Sequence, residues 1–325
     1  MGWWQVDADT LAGGRFVISP LNETISSLKL LQRHAPATHP GERAWLARHL
    51  PAFRARLAGD PLTPLLLRAA FRPTWNADFI TPTPAGQGEE AFARELDRVR
   101  AATADAVRAD LTVALGGPPP AALLREDLGE HAADLLDWVW QRTVLPDWPR
   151  RRRVLEADIV ARTAQLSRGG WAAALDDLRP GMRWLGNDRL QINTQDFPPR
   201  EASGAQLLFV PVSFRTSWVS WEGAHRFAVV YPCAGVLAEP GRPAAPQALG
   251  ALLGQGRAGI LVLLDSPKST TQLVALTGLA LGSVGRHLKV LLDARLVRRR
   301  RSGRSVLYYR TEPGDLLVNA ATPDN

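Results

Sequence analysis

The sequence contains one cysteine and six histidines in 325 residues, which leaves few side chains for disulfides or transition metals. Cys233 has no second cysteine in the chain to pair with. The histidines show no close spacing typical of metal ligands, with one another or with Cys233, and no His-Glu-x-x-His motif occurs. We therefore expect no metal site and no cofactor.

Long apolar runs are also missing. A membrane-spanning helix needs about 18 or more consecutive apolar residues, whereas the longest clean run in this sequence is 260–264. Asp7 and Asp9 lie in the region where an export signal would have its apolar stretch. We therefore expect a cytoplasmic protein with no membrane partner.

Charge and tryptophan are distributed in opposite ways along the chain. The net charge is +7, and residues 246–325 contain 11 Lys/Arg against five Asp/Glu, which accounts for +6 of it. All 11 tryptophans lie between Trp3 and Trp221. Concentrated positive charge is typical of a nucleic-acid-binding module beside a near-neutral domain. Residues 239–247, with three prolines and a glycine, read as the linker between the two.

The N-terminal part alternates between helical and strand-like patterns. Apolar residues recur at helical spacing over 46–57 and 92–106. The segments 207–214, 218–221 and 227–231 are rich in aromatic and β-branched residues, which predicts two or three antiparallel strands. The expected fold class is α+β, with a mostly helical N-terminal domain and a small antiparallel sheet. The tryptophans fit either ordinary core packing or a ligand cavity.

A glycine motif at Gly254, Gly256 and Gly259 matches the letters of a dinucleotide-binding fingerprint. Such a fingerprint needs a strand before it and a βαβ unit of about 30 residues around it. The preceding residues have a helical pattern, and the apolar run that follows ends at Pro267. We therefore expect no nucleotide site here.

Downstream of these glycines the sequence predicts two helices joined by a turn. The first covers 270–277 and ends at Gly278, and the second runs over 281–294. On a helical projection of the second, Val284, Leu288 and Leu291 share one face. Arg286 and Lys289 lie on the opposite face. A recognition helix in the DNA major groove has this geometry: one apolar face packs against the protein, and the opposite cationic face is exposed to the DNA.

A basic β-hairpin is predicted to follow over 296–310, with Ser302 and Gly303 as its two-residue turn. Arg299, Arg301 and Arg304 surround this turn, and no acidic residue lies between Arg295 and Arg310. Such a cluster suits DNA phosphates or the minor groove.

This order of elements resembles the winged helix-turn-helix of the ArsR (arsenic-repressor-type) bacterial regulators. The most specific parts are Arg-His-Leu-Lys-Val-Leu at 286–291 and Gly-Arg-x-x-x-Tyr-Tyr at 303–309. The resemblance implies a positioning helix, a recognition helix and a wing. Together with the patterns above, it places DNA contacts at Thr270, Thr271, Gln272, Gly282, Ser283, Arg286, His287, Lys289, Arg299, Arg301, Ser302, Arg304 and Tyr308.

The sequence departs from this family at two places. Metal-sensing members have a cysteine pair in the positioning helix, where this chain has Leu273, Val274 and Ala275. The resemblance therefore implies no metal sensing. Small hydroxyl residues common around the start of the recognition helix are replaced, among them by Leu281 and Gly282, which raises the importance of Arg286 and the wing.

We therefore expect a sequence-specific DNA-binding transcriptional regulator, a homodimer that represses by occupying a promoter. The predicted domains are 1–238, which senses a small molecule or binds a partner, the linker 239–247, the DNA-binding domain 248–312 and a tail 313–325. Two alternatives stay open: an enzyme in the N-terminal domain with an auxiliary nucleic-acid-binding tail, and an N-terminal assembly scaffold without a ligand.

Overall fold

The computed structural model describes residues 2–33, 40–86, 91–175, 178–233, 246–264, 267–302 and 305–321. These residues form an α+β fold, as the sequence predicts. The chain divides into two compact units: Met1–Pro149 with Leu175–Cys233, and Arg150–Ala174 with Ala234–Asn325. Within the described ranges, no helix combines the length and apolar character needed to cross a membrane.

The first unit is built largely from helices. They are α1 (Ala8–Ala12), α2 (Pro20–Leu31), α3 (Pro40–Ala58), α4 (Leu62–Ala70), α5 (Phe92–Arg100), α6 (Ala104–Leu115) and α7 (Leu128–Val139). Nearly every residue of α2 is buried, so this helix lies at the centre of the unit. Ser19 caps it, since its Oγ accepts the Asn22 N–H at 3.0 Å. The stripe predicted over 92–106 is divided between α5 and α6, because Thr103 caps a new helix.

The strands of this unit form two sheets. They are β1 (Trp3–Gln5), β2 (Arg15–Phe16), β3 (Arg183–Gly186), β4 (Arg189–Gln191), β5 (Arg200–Glu201), β6 (Gln206–Val212), β7 (Trp218–Glu222) and β8 (Arg226–Pro232). One sheet has the order β3-β4-β1-β5 and the other β2-β6-β8-β7. The first was not predicted, because β1 pairs with β4, which lies far away in the chain.

The prediction of an antiparallel sheet is wrong for the second of these sheets. Strands β7 and β8 are antiparallel, but β6 pairs with β8 in parallel, and β2 pairs with β6 in parallel as well. Three strands joined by short connections usually pair with their neighbours in sequence. Here β8 lies between β6 and β7, so it runs in the direction of β6 and the sheet is mixed.

The second unit contains most of α8 (Trp148–Leu175) and the C-terminal elements. Those elements are α9 (Gln247–Leu253), α10 (Gln255–Leu263), β9 (Lys268–Ser269), α11 (Thr270–Thr277), α12 (Leu281–Asp293), β10 (Val297–Ser302), β11 (Ser305–Arg310) and α13 (Glu312–Ala320). The three strands form a sheet in the order β10-β11-β9.

The linker at 239–247 lies outside the described residues except for its last two, and α9 begins at Gln247. The predicted tail at 313–325 contains most of α13, whose Leu317 and Val318 pack with Leu249 of α9. The predicted domain boundaries stay a prediction, and the compact units also place Arg150–Ala174 with the C-terminal residues.

Candidate nucleic-acid interface

The start of α11 is fixed by a reciprocal pair of hydrogen bonds. Ser269 Oγ accepts the Gln272 N–H at 3.2 Å, and Gln272 Oε1 accepts the Ser269 N–H at 2.8 Å. This capping box satisfies backbone donors that the first turn of a helix leaves free. Because Ser269 also pairs with Leu307 of β11, the same residue that caps α11 ties it to the hairpin. The Gln272 amide oxygen is thus engaged within the protein.

The turn between α11 and α12 depends on Gly278. This residue ends α11 in the left-handed region, at φ 68°, where its N–H donates to the Val274 carbonyl at 2.9 Å. Only glycine enters that region without a steric cost, so the sharp change of direction follows from the sequence. The next helix begins at Leu281, and together the two helices form a helix-turn-helix.

Helix α12 has one buried and one exposed face, as its periodicity predicts. Val284, Leu288 and Leu291 are each no more than 1% exposed. Arg286 and Lys289 are exposed on the other side of the helix. The Arg286 Nη2 donates to Ser283 Oγ at 3.2 Å, which holds the guanidinium along the exposed face. Arginine held in this way can present its fork of donors to the base edges of a major groove.

His287 and Tyr308 are placed differently from the exposed cations. A Cβ added to Gly256 would lie 2.6 Å from His287 Nε2, so this half-buried ring packs against α10. Tyr308 is 9% exposed and lies within the small sheet. Their predicted contacts with DNA stay untested, and the burial of both side chains favours a packing role.

The predicted basic hairpin is present, but the predicted turn is wrong in one respect: Ser302 belongs to β10, where it pairs with Ser305, and is not a turn residue. Strands β10 and β11 are antiparallel, with pairs from Val297 and Arg310 to Ser302 and Ser305. Arg299 and Arg301 are exposed and, two residues apart on a strand, share one face. Among the described residues neither forms an ion pair.

Two other hairpin arginines, Arg298 and Arg310, make contacts within the protein itself. On the opposite face of β10, the Arg298 guanidinium lies 5.8 Å from the centre of the Tyr309 ring. Arg310 on β11 forms an ion pair with Asp315 of α13, with Nε and Oδ1 2.7 Å apart. Arg299, Arg300 and Arg301 remain exposed, and Arg299 and Arg301 are the two of these that share one face.

The structure thus brings together part of the predicted set of DNA contacts. Arg304 lies outside the described residues, as do the side chains of Thr271 and Ser302. The exposed members are Gly282, Arg286, Lys289, Arg299 and Arg301; the half-buried ones are Thr270, Gln272, Ser283 and His287.

Two exposed apolar residues on α12 are not among the predicted contacts. Leu281 is 62% exposed and Val290 is 45% exposed. Apolar side chains on a recognition helix can contact the thymine methyl group. The sequence signal that could have identified both residues as candidate contacts was their position outside the apolar stripe of the helix.

A helix-turn-helix with a cationic second helix, followed by a basic antiparallel hairpin, defines a DNA-binding regulatory domain. Residues 255–299 match the family model of the bacterial regulatory protein, arsR family. The C-terminal part of the chain therefore contains an ArsR-family regulatory domain, behind a long N-terminal region. That domain is characteristic of DNA-binding transcription regulators.

No curated protein and no solved structure matches the chain. Among the described residues, no group of three or more His, Cys, Asp or Glu side chains is arranged to hold a metal ion.

Proposed function

We propose that the protein is a sequence-specific transcriptional repressor that binds DNA as a homodimer and responds to a small molecule through its N-terminal unit. The observation that carries this proposal is the pairing of the ArsR-family match with the exposed Arg286 and Lys289 on α12. Its partner is double-stranded DNA, so its place of action is the bacterial cytoplasm.

In this proposal the C-terminal elements act as a winged helix-turn-helix. Helix α12 enters the major groove, where Arg286 reads a guanine through its O6 and N7 acceptors. Arg299 and Arg301 contact phosphates, which contributes affinity and orientation without reading sequence. Repression follows when the bound protein occupies the promoter.

Dimerisation is supported by exposed leucines around one small apolar cluster. Leu249 and Ala258 form its buried part, and residues of α13 pack against them. On the outside, Leu252 of α9 is 67% exposed and Leu316 of α13 is 62% exposed. These two large apolar side chains are highly exposed and lie on helices of the same cluster. Such a surface suits a two-fold interface between copies of the chain.

An enzyme in the N-terminal unit is the second candidate. Burial and repulsion by Asp110 raise the pKa of Asp78 to about 6, and Asp78 lines a cavity in that unit. A carboxyl with a raised pKa in a cavity is a feature that general acids share. We favour binding over catalysis because the ArsR family is a family of regulators.

The test is selection of DNA by the full-length protein from a library of random duplexes. We expect enrichment of a pseudo-palindromic motif whose half-sites lie about 10–10.5 bp apart, or a multiple of that spacing. A selected pool with the same composition as the starting library would contradict sequence-specific binding.

A further inference from the structure

The first unit contains a cavity of about 440 Å³, which we call the cationic cavity. Its walls come from β1, β7, the residues after α4 and the segments around Arg179 and Phe197. The volume is in the range of pockets for small organic ligands.

Aromatic rings form much of the wall. The cavity is lined by five of the 11 tryptophans, Trp3, Trp4, Trp75, Trp218 and Trp221. Trp75 makes edge contacts with Phe197 and Trp221, at ring-centre distances of 5.6 and 5.4 Å. Rings that pack against one another in this way form a flat apolar surface, which suits a flat apolar ligand.

Two cations in the same cavity have no acidic partner among the described residues. Lys29 Nζ donates to the neutral Asn76 Oδ1 at 2.8 Å and lies over the rings of Phe71 and Trp218. Burial, together with repulsion by Arg179, lowers the pKa of Lys29 to about 8. Arg179 Nε and Nη1 are buried and have no hydrogen-bond partner. Two buried cations that repel each other leave a place where an anion is favoured.

The one carboxylate among the described lining residues does not neutralise this pair. Asp78 attracts Arg200, whose guanidinium lies 3.8 Å from the centre of the Trp221 ring. The Asp78 charge is thus associated with Arg200, which leaves Lys29 and Arg179 for a ligand.

A third donor belongs to the same wall. Trp218 is 4% exposed, and its Nε1–H has no hydrogen-bond partner. Buried donors normally have an acceptor, and this one is left for a group that enters the cavity. Ammonium, guanidinium and indole groups are all donors, and an ionised carboxylate offers about four lone-pair sites to receive them.

We propose that the cationic cavity binds a small aromatic carboxylate, with its acid group between Lys29 and Arg179 and its ring among the indoles. This inference rests on the proposed function, since it assigns the chemical class of the small molecule that the N-terminal unit senses. The carboxylate accepts donors from both cations, while the tryptophans cover the ring.

The experiment is titration calorimetry of the full-length protein with four probes of one shape. The probes are 1-naphthaleneacetate, its neutral amide, 1-naphthyl phosphate and 1-naphthylmethylamine. We expect the carboxylate to bind at least tenfold more tightly than the amide and no more weakly than the phosphate, and the amine not to bind. Equal affinity of acid and amide, preference for the phosphate, or no binding of any probe at millimolar concentration would overturn the assignment.

Variants then locate the binding site. Lys29→Met and Arg179→Lys should each weaken naphthaleneacetate binding at least tenfold, and Trp218→Phe should weaken it several-fold. Arg54→Met, an exposed arginine of α3, is the matched control and should bind as wild type does. Circular dichroism checks that each variant is folded. Because Arg179→Lys keeps the positive charge and Trp218→Phe keeps the ring, unchanged affinity in folded forms of all three contradicts the site.

A mobility-shift assay with the selected duplex separates this inference from the proposed function. If DNA binding is intact but no carboxylate binds, the cavity assignment alone fails. If wild-type protein does not bind DNA, the regulator proposal fails, and the calorimetry still decides whether the cavity takes an aromatic acid.

Discussion

The guanidinium of Arg286 and the hydroxyl of Ser283 are joined by a hydrogen bond of 3.2 Å along the exposed face of α12. This bond holds a long, flexible side chain near the N-terminal half of the helix, where recognition helices contact bases. It also explains why a serine is useful at a position that does not pack in the core.

Replacing Arg286 by alanine should weaken binding to the selected operator by about 1–3 kcal/mol and relax base preference at one position of each half-site. The reason is the loss of a donor pair aimed at a base edge. Fluorescence anisotropy with operator and scrambled duplexes measures both effects. Arg54→Ala removes an exposed arginine of α3 and should change neither; equal behaviour of the two variants would argue against α12 as the reading helix.

The two faces of β10 provide a matched test of the wing. Arg299→Ala with Arg301→Ala should flatten the dependence of log affinity on log salt concentration by up to about 1.8, since each lost phosphate contact contributes about 0.9. Arg298→Ala with Arg300→Ala removes the same charge from the opposite face and should have a smaller effect. Binding is measured at salt concentrations from about 50 to about 300 mM. A larger effect of the Arg298 and Arg300 pair would mean that the opposite face meets DNA.

The proposed dimer predicts that exposed leucines near α9 and α13 keep two copies together. Leu252→Glu combined with Leu316→Glu should convert the protein from a dimer to a monomer of 35.5 kDa in sedimentation velocity at micromolar concentration. Burying a carboxylate at an apolar interface is unfavourable. Leu281→Glu is the control, since Leu281 is 62% exposed on α12, and it should leave the dimer intact. A wild-type monomer would exclude this interface.

Asp78 predicts an unusual dependence of stability on pH. Burial and the nearby Asp110 raise its pKa to about 6, from an ordinary value of 3.8. The folded protein therefore holds this proton more tightly than the unfolded chain, and the charge costs stability as pH rises from about 4 to 6. Asp78→Asn should raise the free energy of unfolding by about 1–2 kcal/mol at pH 7.5, a value reduced for partial exposure of the carboxyl.

The difference between Asp78→Asn and wild type should shrink when urea unfolding is repeated near pH 4.5, where the wild-type carboxyl is mostly protonated. A gain in stability that is the same at both pH values would mean that the asparagine stabilises by another route.

The sequence predicted the C-terminal elements well because their signals are local. The apolar stripe through Val284, Leu288 and Leu291 defines α12, and Gly278 ends α11. Pairing across long distances left no such signal. The alternation along β1 does not reveal that Trp3 pairs with Gln191, nor does the pattern of β8 show that it lies beside β6.

The same limit applies to the cationic cavity. Abundant tryptophan indicated that a cavity was possible, but Lys29 lies in a helix of otherwise ordinary pattern, and Arg179 is 150 residues away. The folded chain is needed to bring these two cations together.

The most direct test of the central claim, that α12 reads DNA bases, is methylation protection of guanine N7 on the selected operator. This atom lies in the major groove, where Arg286 is expected to meet it. We predict protection of one guanine in each half-site by wild-type protein and by Arg54→Ala, and loss of that protection in Arg286→Ala at concentrations where the variant still occupies the site. Bound protein that leaves every guanine N7 reactive, or the same protection with Arg286→Ala, would contradict the account.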